Sequence, residues 1–276
     1  MGRRSVEEHA ARVAALLAPV LTGSRSERVA LDRALGRVTA TDLRSPLPLP
    51  PFRNSQMDGY AARAADIAAP PVVLPVAGVQ PAGPSDLLEL PLGAVLKVMT
   101  GAPLPLGADC VVPVEDTEPG PSQVAIRRSR SVGEYVRDAG SDLAAGNVVV
   151  GAGTRLAPRH LAALAAAGLA EVPVLGLPRV AVLTTGEEVV QPGEPLRFGQ
   201  VYDANLTAVT ALVREAGAEV VLADRTADDP DAFRRALETA AASADLVLTC
   251  GGISHGDYEV VRQVLEPLGA DVTEVA

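Results

Sequence analysis

The chain has 276 residues, 48% of them hydrophobic, which is enough for more than one buried core. A net charge of −10 and an aromatic content of 3%, with no tryptophan, exclude the basic face and the stacking platforms expected of a nucleic-acid binder. Lys97 is the only lysine, so a Schiff-base or phosphate-loop lysine has one candidate, and any anion chemistry must rest on arginine, backbone amides or metal.

Ser5 and Glu8 form a capping-box pattern, and Val13, Leu16, Leu17 and Val20 repeat at helical spacing, which predicts a helix over 5–18 ending near Pro19. A helical turn at Asp32 to Leu35 is closed by Gly36. Four prolines between Pro46 and Pro51 then make an extended connector and an expected domain boundary. From 52 to 143 the runs Val72 to Val79, Ala94 to Met99, Cys110 to Val114 and Gln123 to Ile126 read as strands punctuated by Gly and Pro, as in a small β-rich or barrel-like domain. Residues 144–176 carry Val148 to Val150 and a helix from Pro158 to about Ala167. They are expected to return to the N-terminal helix, since neither piece buries a core alone. From 178 the pattern alternates: strand Val180 to Leu183, a helix marked by Leu206, Val209, Leu212 and Val213 and closed by Gly217, strand Val220 to Leu222, a helix capped by Asp229 with Pro230 at its first position, strand Leu246 to Cys250, a helix over Tyr258 to Leu265, and a fourth strand at Val272 to Val275. That order predicts a parallel sheet with helices on both faces.

Cys110 and Cys250 form no paired motif and read as reduced thiols, and His9, His160 and His255 lack zinc-ligand spacing. No apolar signal core follows Met1 to Arg4, and the longest apolar run, Leu161 to Ala170, is too short to span a bilayer, so a cytoplasmic location without membrane contact is expected.

In a doubly wound sheet, ligands bind at the carboxyl ends of the strands. Three loops fall there: Thr184 to Glu188, the Asp224/Asp228/Asp229 segment, and Gly251 to Asp257. The last reads as a glycine-rich turn whose backbone amides cradle an anion, with a carboxylate beside it. Acids gathered at such a loop call for a cation, and Mg²⁺ suits a few carboxylates plus ligand oxygens. Asp229 reads equally as a plain cap, Glu187 as a solvated acid and Asp257 as an N-cap. In the β-rich part, Asp58-Gly59 and Thr100-Gly101 stand out, each also readable as a turn, and Arg137 with Asp142 reads as a polar loop or a simple salt bridge.

The segments Pro50 to Ala61, Met99 to Pro105, Gly107 to Val112, Arg137 to Asp142, Thr185 to Glu188 and Gly251 to Tyr258, in this order, together resemble the molybdopterin molybdenumtransferase family, related to the gephyrin E domain. The resemblance implies a multidomain α/β plus β chain. It has an elongated N-terminal dimerisation domain (1–45 and 144–176), a β-rich barrel-like domain (46–143) and a parallel three-layer α/β/α molybdopterin-binding domain (177–276). It also implies insertion of molybdate into adenylylated molybdopterin with release of AMP and help from Mg²⁺. The implied enzyme is a homodimer with its cleft between subunits, and contact with molybdopterin adenylyltransferase belongs to the same expectation. Carried over residue by residue, Asp58, Thr100, Arg137 and Asp142 fall on the β-rich side, with Arg137 helping to hold an anion. Glu188, Asp228, Gly251, Gly252, Ser254 and Asp257 fall on the sheet side, with Asp257 and Glu188 as the metal candidates. Chains of that family continue beyond the strand near 272–275, so the α/β domain is expected to be incomplete. Two other readings stay open: a non-catalytic molybdopterin-binding or dimerisation fragment, and a molybdopterin adenylyltransferase, which resembles the sheet domain alone.

Overall fold

The computed structural model describes residues 4–22, 25–253, 259–273 and 275. Two units emerge, Arg28–Pro173 and Met1–Glu27 with Val174–Ala276.

Helix α1 (Val6–Thr22) opens on the predicted capping box: the Ser5 backbone N–H donates to Glu8 Oε2 (3.0 Å) and the Glu8 N–H to Ser5 Oγ (3.2 Å). It runs past Pro19 to Thr22 rather than ending there. A proline one turn from the end removes a single ladder bond, which the preceding turns tolerate.

In Arg28–Pro173 the centre is a six-stranded mixed sheet. Its strands are β1 (Gly59–Ala62), β2 (Val72–Gln80), β3 (Val95–Val98), β4 (Cys110–Pro113), β5 (Thr117–Pro119) and β6 (Gln123–Ile126), in the order β4-β1-β3-β2-β6-β5. Only β2 and β3 run parallel; the other pairs are antiparallel. One face buries Tyr60, Ile67, Val95, Val112, Val124 and Ile126, the other Ala61, Leu96, Val98, Val111 and Leu104. This is the β-rich domain expected from the sequence, with one strand, β1, sitting where a turn was read. Cys110 lies in the core, and burial first, with the Asp109 charge second, pushes its thiol up to about 12.

The segment from 144 onward, expected against the N-terminal helix, instead pairs with residues between 31 and 45. Val148–Val150 pairs antiparallel with Leu43–Arg44, the Gly36 N–H donates to Leu156 O, and the Thr39 N–H to Thr154 O. Helix α2 (Pro158–Ala166) follows, with the Ala157 N–H capped by His160 Nδ1 at 3.1 Å.

The other unit is built on three parallel strands, β7 (Arg179–Thr185), β8 (Glu219–Thr226) and β9 (Leu246–Cys250), in the order β8-β7-β9. Alternate residues of β7 face opposite layers. Val180 and Val182 meet Val213, Leu206 and Val209 of helix α3 (Ala204–Glu215). Ala181 and Leu183 meet Phe233 and Ala240 of α4 (Pro230–Ser243) and Val260, Val261 and Val264 of α5 (Val260–Leu265). Both faces are covered, so β7 reads as a continuous apolar run. Asp229 caps α4 as predicted, accepting the Ala232 N–H at 2.7 Å. Two expectations change. Asp224 lies within β8, not in a loop. Val272 and Thr273 lie outside any strand, and Val275 forms only an isolated bridge with Arg4, next to the Arg4–Asp271 ion pair. Among the described residues no helix is long and apolar enough to cross a membrane.

Candidate functional site

In the β-rich unit the site begins where Asn54–Ser55 pairs with Val136–Arg137, placing Arg137 opposite Asn54. Ser55 Oγ donates to Met57 O at 2.6 Å and accepts the Met57 N–H, folding the chain into a tight turn before Asp58. Gly59 then enters β1 so close to β4 that a Cβ would lie 2.1 Å from Val112 O. The Asp58-Gly59 pair is therefore set by strand packing, and it leaves the carboxylate at the strand's end. Asp58 Oδ1 accepts two bonds from Thr100, from the backbone N–H at 2.7 Å and from Oγ1 at 3.0 Å. These two bonds, the backbone one first, hold the Asp58 carboxyl below its ordinary range. Asp58 is thus an ionised, fixed acceptor.

Beside Thr100 opens a cavity of about 300 Å³ lined by Asn54, Ser55, Gln56, Thr100, Gly101 and Arg137. The Arg137 guanidinium is ion-paired with Asp142, and the neighbouring Arg53 Nε with Asp138 at 2.7 Å. Of the four residues expected on this side, Thr100 and Arg137 line the cavity, while Asp58 is bonded to Thr100 and Asp142 is paired with Arg137. Asn54 and Gln56 were given no role from the sequence. They sit just before Asp58 in the chain, on either side of Ser55, and that position is the signal that could have found them.

In the sheet unit the polar groups gather at the carboxyl ends of β7, β8 and β9. Gly251 (φ +94°) and Gly252 (φ +59°) lie against the end of β7: a Cβ on Gly251 would sit 2.8 Å from Thr185 O, and one on Gly252 3.0 Å from Thr185 Oγ1. Only glycine permits both the backbone angle and this approach. Thr185 Oγ1 is buried with no hydrogen-bond partner among the described residues, as is that of its cross-strand partner Thr226. The Glu187 N–H donates to Asp228 Oδ2 at 2.9 Å, joining the first loop to the second. The Glu188 carboxylate folds back over Gly186, where a Cβ would meet Oε2 at 2.8 Å. Asp228, Glu188, Gly251 and Gly252 are thus brought to one edge, while Ser254 and Asp257 lie outside the described residues.

Asp203 is a residue the sequence reading missed. It is 4% exposed, accepts Thr184 Oγ1 on Oδ2 at 2.6 Å and the Leu206 N–H on Oδ1 at 2.8 Å, and so ties the end of β7 to the start of α3. Burial and the Asp203 charge both raise the Cys250 thiol, burial more. The signal for Asp203 was its position before a helical run; its bond to Thr184 is tertiary and left none. Among the described residues no group of three or more His, Cys, Asp or Glu could hold a metal ion.

Comparison with known proteins gives two family models in tandem. "MoeA N-terminal region (domain I and II)" matches residues 4–168 and "Probable molybdopterin binding domain" matches residues 181–275. Molybdopterin molybdenumtransferase 2 of Mycobacterium tuberculosis is 46% identical over 263 residues, covering 94% of this chain and 64% of that protein. Molybdopterin molybdenumtransferase 1 of the same organism is 36% identical, covering 99% of this chain and 68% of its own length. A crystal structure described as the molybdopterin biosynthesis moea protein of Pyrococcus horikoshii superimposes with a TM-score of 0.79 at 34% identity, over 91% of this chain and 65% of that one. The chain spans roughly two thirds of the length of these relatives.

Proposed function

Because the chain belongs to the MoeA family, we propose that it takes part in inserting molybdate into adenylylated molybdopterin, with release of AMP, to form the molybdenum cofactor. The observation that carries this reading is the tandem match: both units fall under the family's models, and each unit gathers its own polar cluster. A molybdopterin adenylyltransferase would need only the sheet unit, which leaves the cluster around Asp58 without a role.

The chain's own groups divide the work. Asp58, fixed by Thr100, presents a negative charge at neutral pH and an acceptor, so it orients substrate donors. The Gly251–Gly252 backbone, pressed flat on Thr185, lets a phosphate approach closely at the sheet edge. Asp228 holds the Glu187 amide and so sets the position of Glu188. For Mg²⁺ the donor set is suitable: Glu188 and Asp228 carboxylates and the unpartnered Thr185 hydroxyl are all hard oxygens, and Mg²⁺ accepts one or two carboxylates completed by ligand oxygens and water. Glu188 and Asp228 would hold it, together with the Asp257 carboxylate proposed for the third loop. When bound, it neutralises phosphate and the charge developing on the departing AMP.

We assign the whole protein to the cytoplasm as a homodimer, organised as 1–45 with 144–176, 46–143 and 177–276, with molybdopterin adenylyltransferase as a contact. The apolar side of α1 supports self-association: Val6, Val13 and Leu16 are 61%, 39% and 57% exposed. The test is AMP release from adenylylated molybdopterin in the presence of Mg²⁺, with and without molybdate. Release that ignores molybdate, or ATP consumption with molybdopterin, would remove the proposal.

A further inference from the structure

We propose that the cavity beside Thr100 binds a neutral, planar nitrogen heterocycle through the carboxamides of Asn54 and Gln56, and not an oxyanion. The inference rests on the proposed function for the ligand that brings such a ring.

Charge argues first. Arg137 is the only charged residue lining the cavity, and Asp142 already neutralises it. Asp58, bonded to the lining residue Thr100, adds a further negative charge. Arg137 is balanced by Asp142, and the charge of Asp58 is balanced by Lys97, which acts on it, so the cavity and its surround carry no net positive charge. A doubly charged tetrahedral anion would need Arg137 freed from Asp142 and would still face Asp58.

Hydrogen-bonding chemistry argues second. Asn54 Nδ2 donates to Phe52 O at 3.1 Å, which orients its carboxamide and leaves Oδ1 as an acceptor. The Gln56 carboxamide is exposed and makes no bond among the described residues. A carboxamide offers a donor and an acceptor side by side, and this pairing reads the edge of a lactam or amidine ring as it reads adenine in DNA.

Shape argues third. Gly101 turns with φ +82°, and the space where its Cβ would stand is open. A flat ring can therefore lie against the 100–101 peptide. A volume of about 300 Å³ is at the lower end for small-molecule sites and suits one ring system, not a whole nucleotide-bearing ligand. Adenylylated molybdopterin carries two rings of this chemistry, pterin and adenine, and either could supply the occupant.

The experiment titrates the 276-residue chain with neopterin, adenosine and molybdate, each alone and in competition, by ligand-observed NMR. The chain is compared with Gln56→Ala and Arg137→Gln, and thermal unfolding of each variant keeps a folding defect separate. The expected result is that at least one ring binds, that Gln56→Ala weakens it about tenfold, that Arg137→Gln changes it less than threefold, and that molybdate does not displace it. Binding of neopterin alone identifies pterin, and binding of adenosine alone identifies adenine. The proposal is overturned if neither ring binds, if Gln56→Ala leaves ring binding unchanged, or if molybdate competes and Arg137→Gln abolishes binding. Molybdate-dependent AMP release that survives Gln56→Ala would overturn this inference and leave the proposed function standing. Ring binding without any AMP release would do the reverse.

Discussion

Removing the Asp203 carboxylate should loosen the sheet unit at the edge where the candidate site lies. Asp203→Ala deletes the N-cap of α3, a loss of about 1 kcal/mol. It also strands the Thr184 hydroxyl, which is 3% exposed at the residue level and has no other bond among the described residues, adding about 1–3 kcal/mol. Together these give roughly 2–4 kcal/mol. Asp203→Asn keeps an oxygen for the Leu206 N–H and an amide for Thr184 and should cost about 1 kcal/mol or less. Thr184→Val leaves Asp203 Oδ2 without its donor, and combined with Asp203→Ala it should cost less than the sum of the two, a coupling of about 1 kcal/mol or more. Hydrogen exchange of the amides in 180–185 and 204–210 under increasing urea isolates this unit from the other. An Asp203→Ala effect within about 0.5 kcal/mol of zero, the size of an ordinary surface substitution, or strict additivity in the double variant, would refute the reasoning.

Three other outcomes follow from the geometry. Gly59→Ala should unfold or strongly destabilise the β-rich unit, because its Cβ would stand 2.1 Å from Val112 O on the paired strand; a melting curve matching that of the unaltered chain would contradict this. The Asp58 carboxyl should titrate below its ordinary 3.8 in a carbon-detected NMR titration, and Thr100→Val should move it back up. Since its folded value is depressed, whatever stability the pair contributes is present above the unfolded value and is lost as pH falls through the folded one. Cys110, buried and pushed up to about 12, should resist alkylation at pH 8 in the folded chain while Cys250 reacts first, read by mass spectrometry of the labelled peptides.

Much of this architecture was legible because burial imposes period. The continuous apolar run of β7 and the Val/Ile-rich runs of β2 and β6 announced strands, and Asp229-Pro230 announced a helix start. What was hidden depends on tertiary neighbours. Strand β1 is Gly-Tyr-Ala-Ala, with little β-propensity of its own, and is imposed by β3 and β4 on either side. Val272 and Thr273 have strand composition but pair with no strand among the described residues, and Val275 makes only an isolated bridge with Arg4. At the site, the carboxylates and glycines were visible as motifs, but which groups answer one another was visible only in part. Arg137 with Asp142 was readable as a salt bridge and is one, whereas Glu187 with Asp228 and Thr184 with Asp203 are contacts that only the folded loops create.

The most direct test of the central claim is AMP release by the 276-residue chain supplied with adenylylated molybdopterin and Mg²⁺, measured with and without molybdate and repeated with Asp58→Asn. The account predicts release that requires molybdate and falls sharply in Asp58→Asn, whose fold is expected to persist because the amide keeps an oxygen for the Thr100 N–H. Release unaffected by molybdate, or undiminished in that variant, would contradict it.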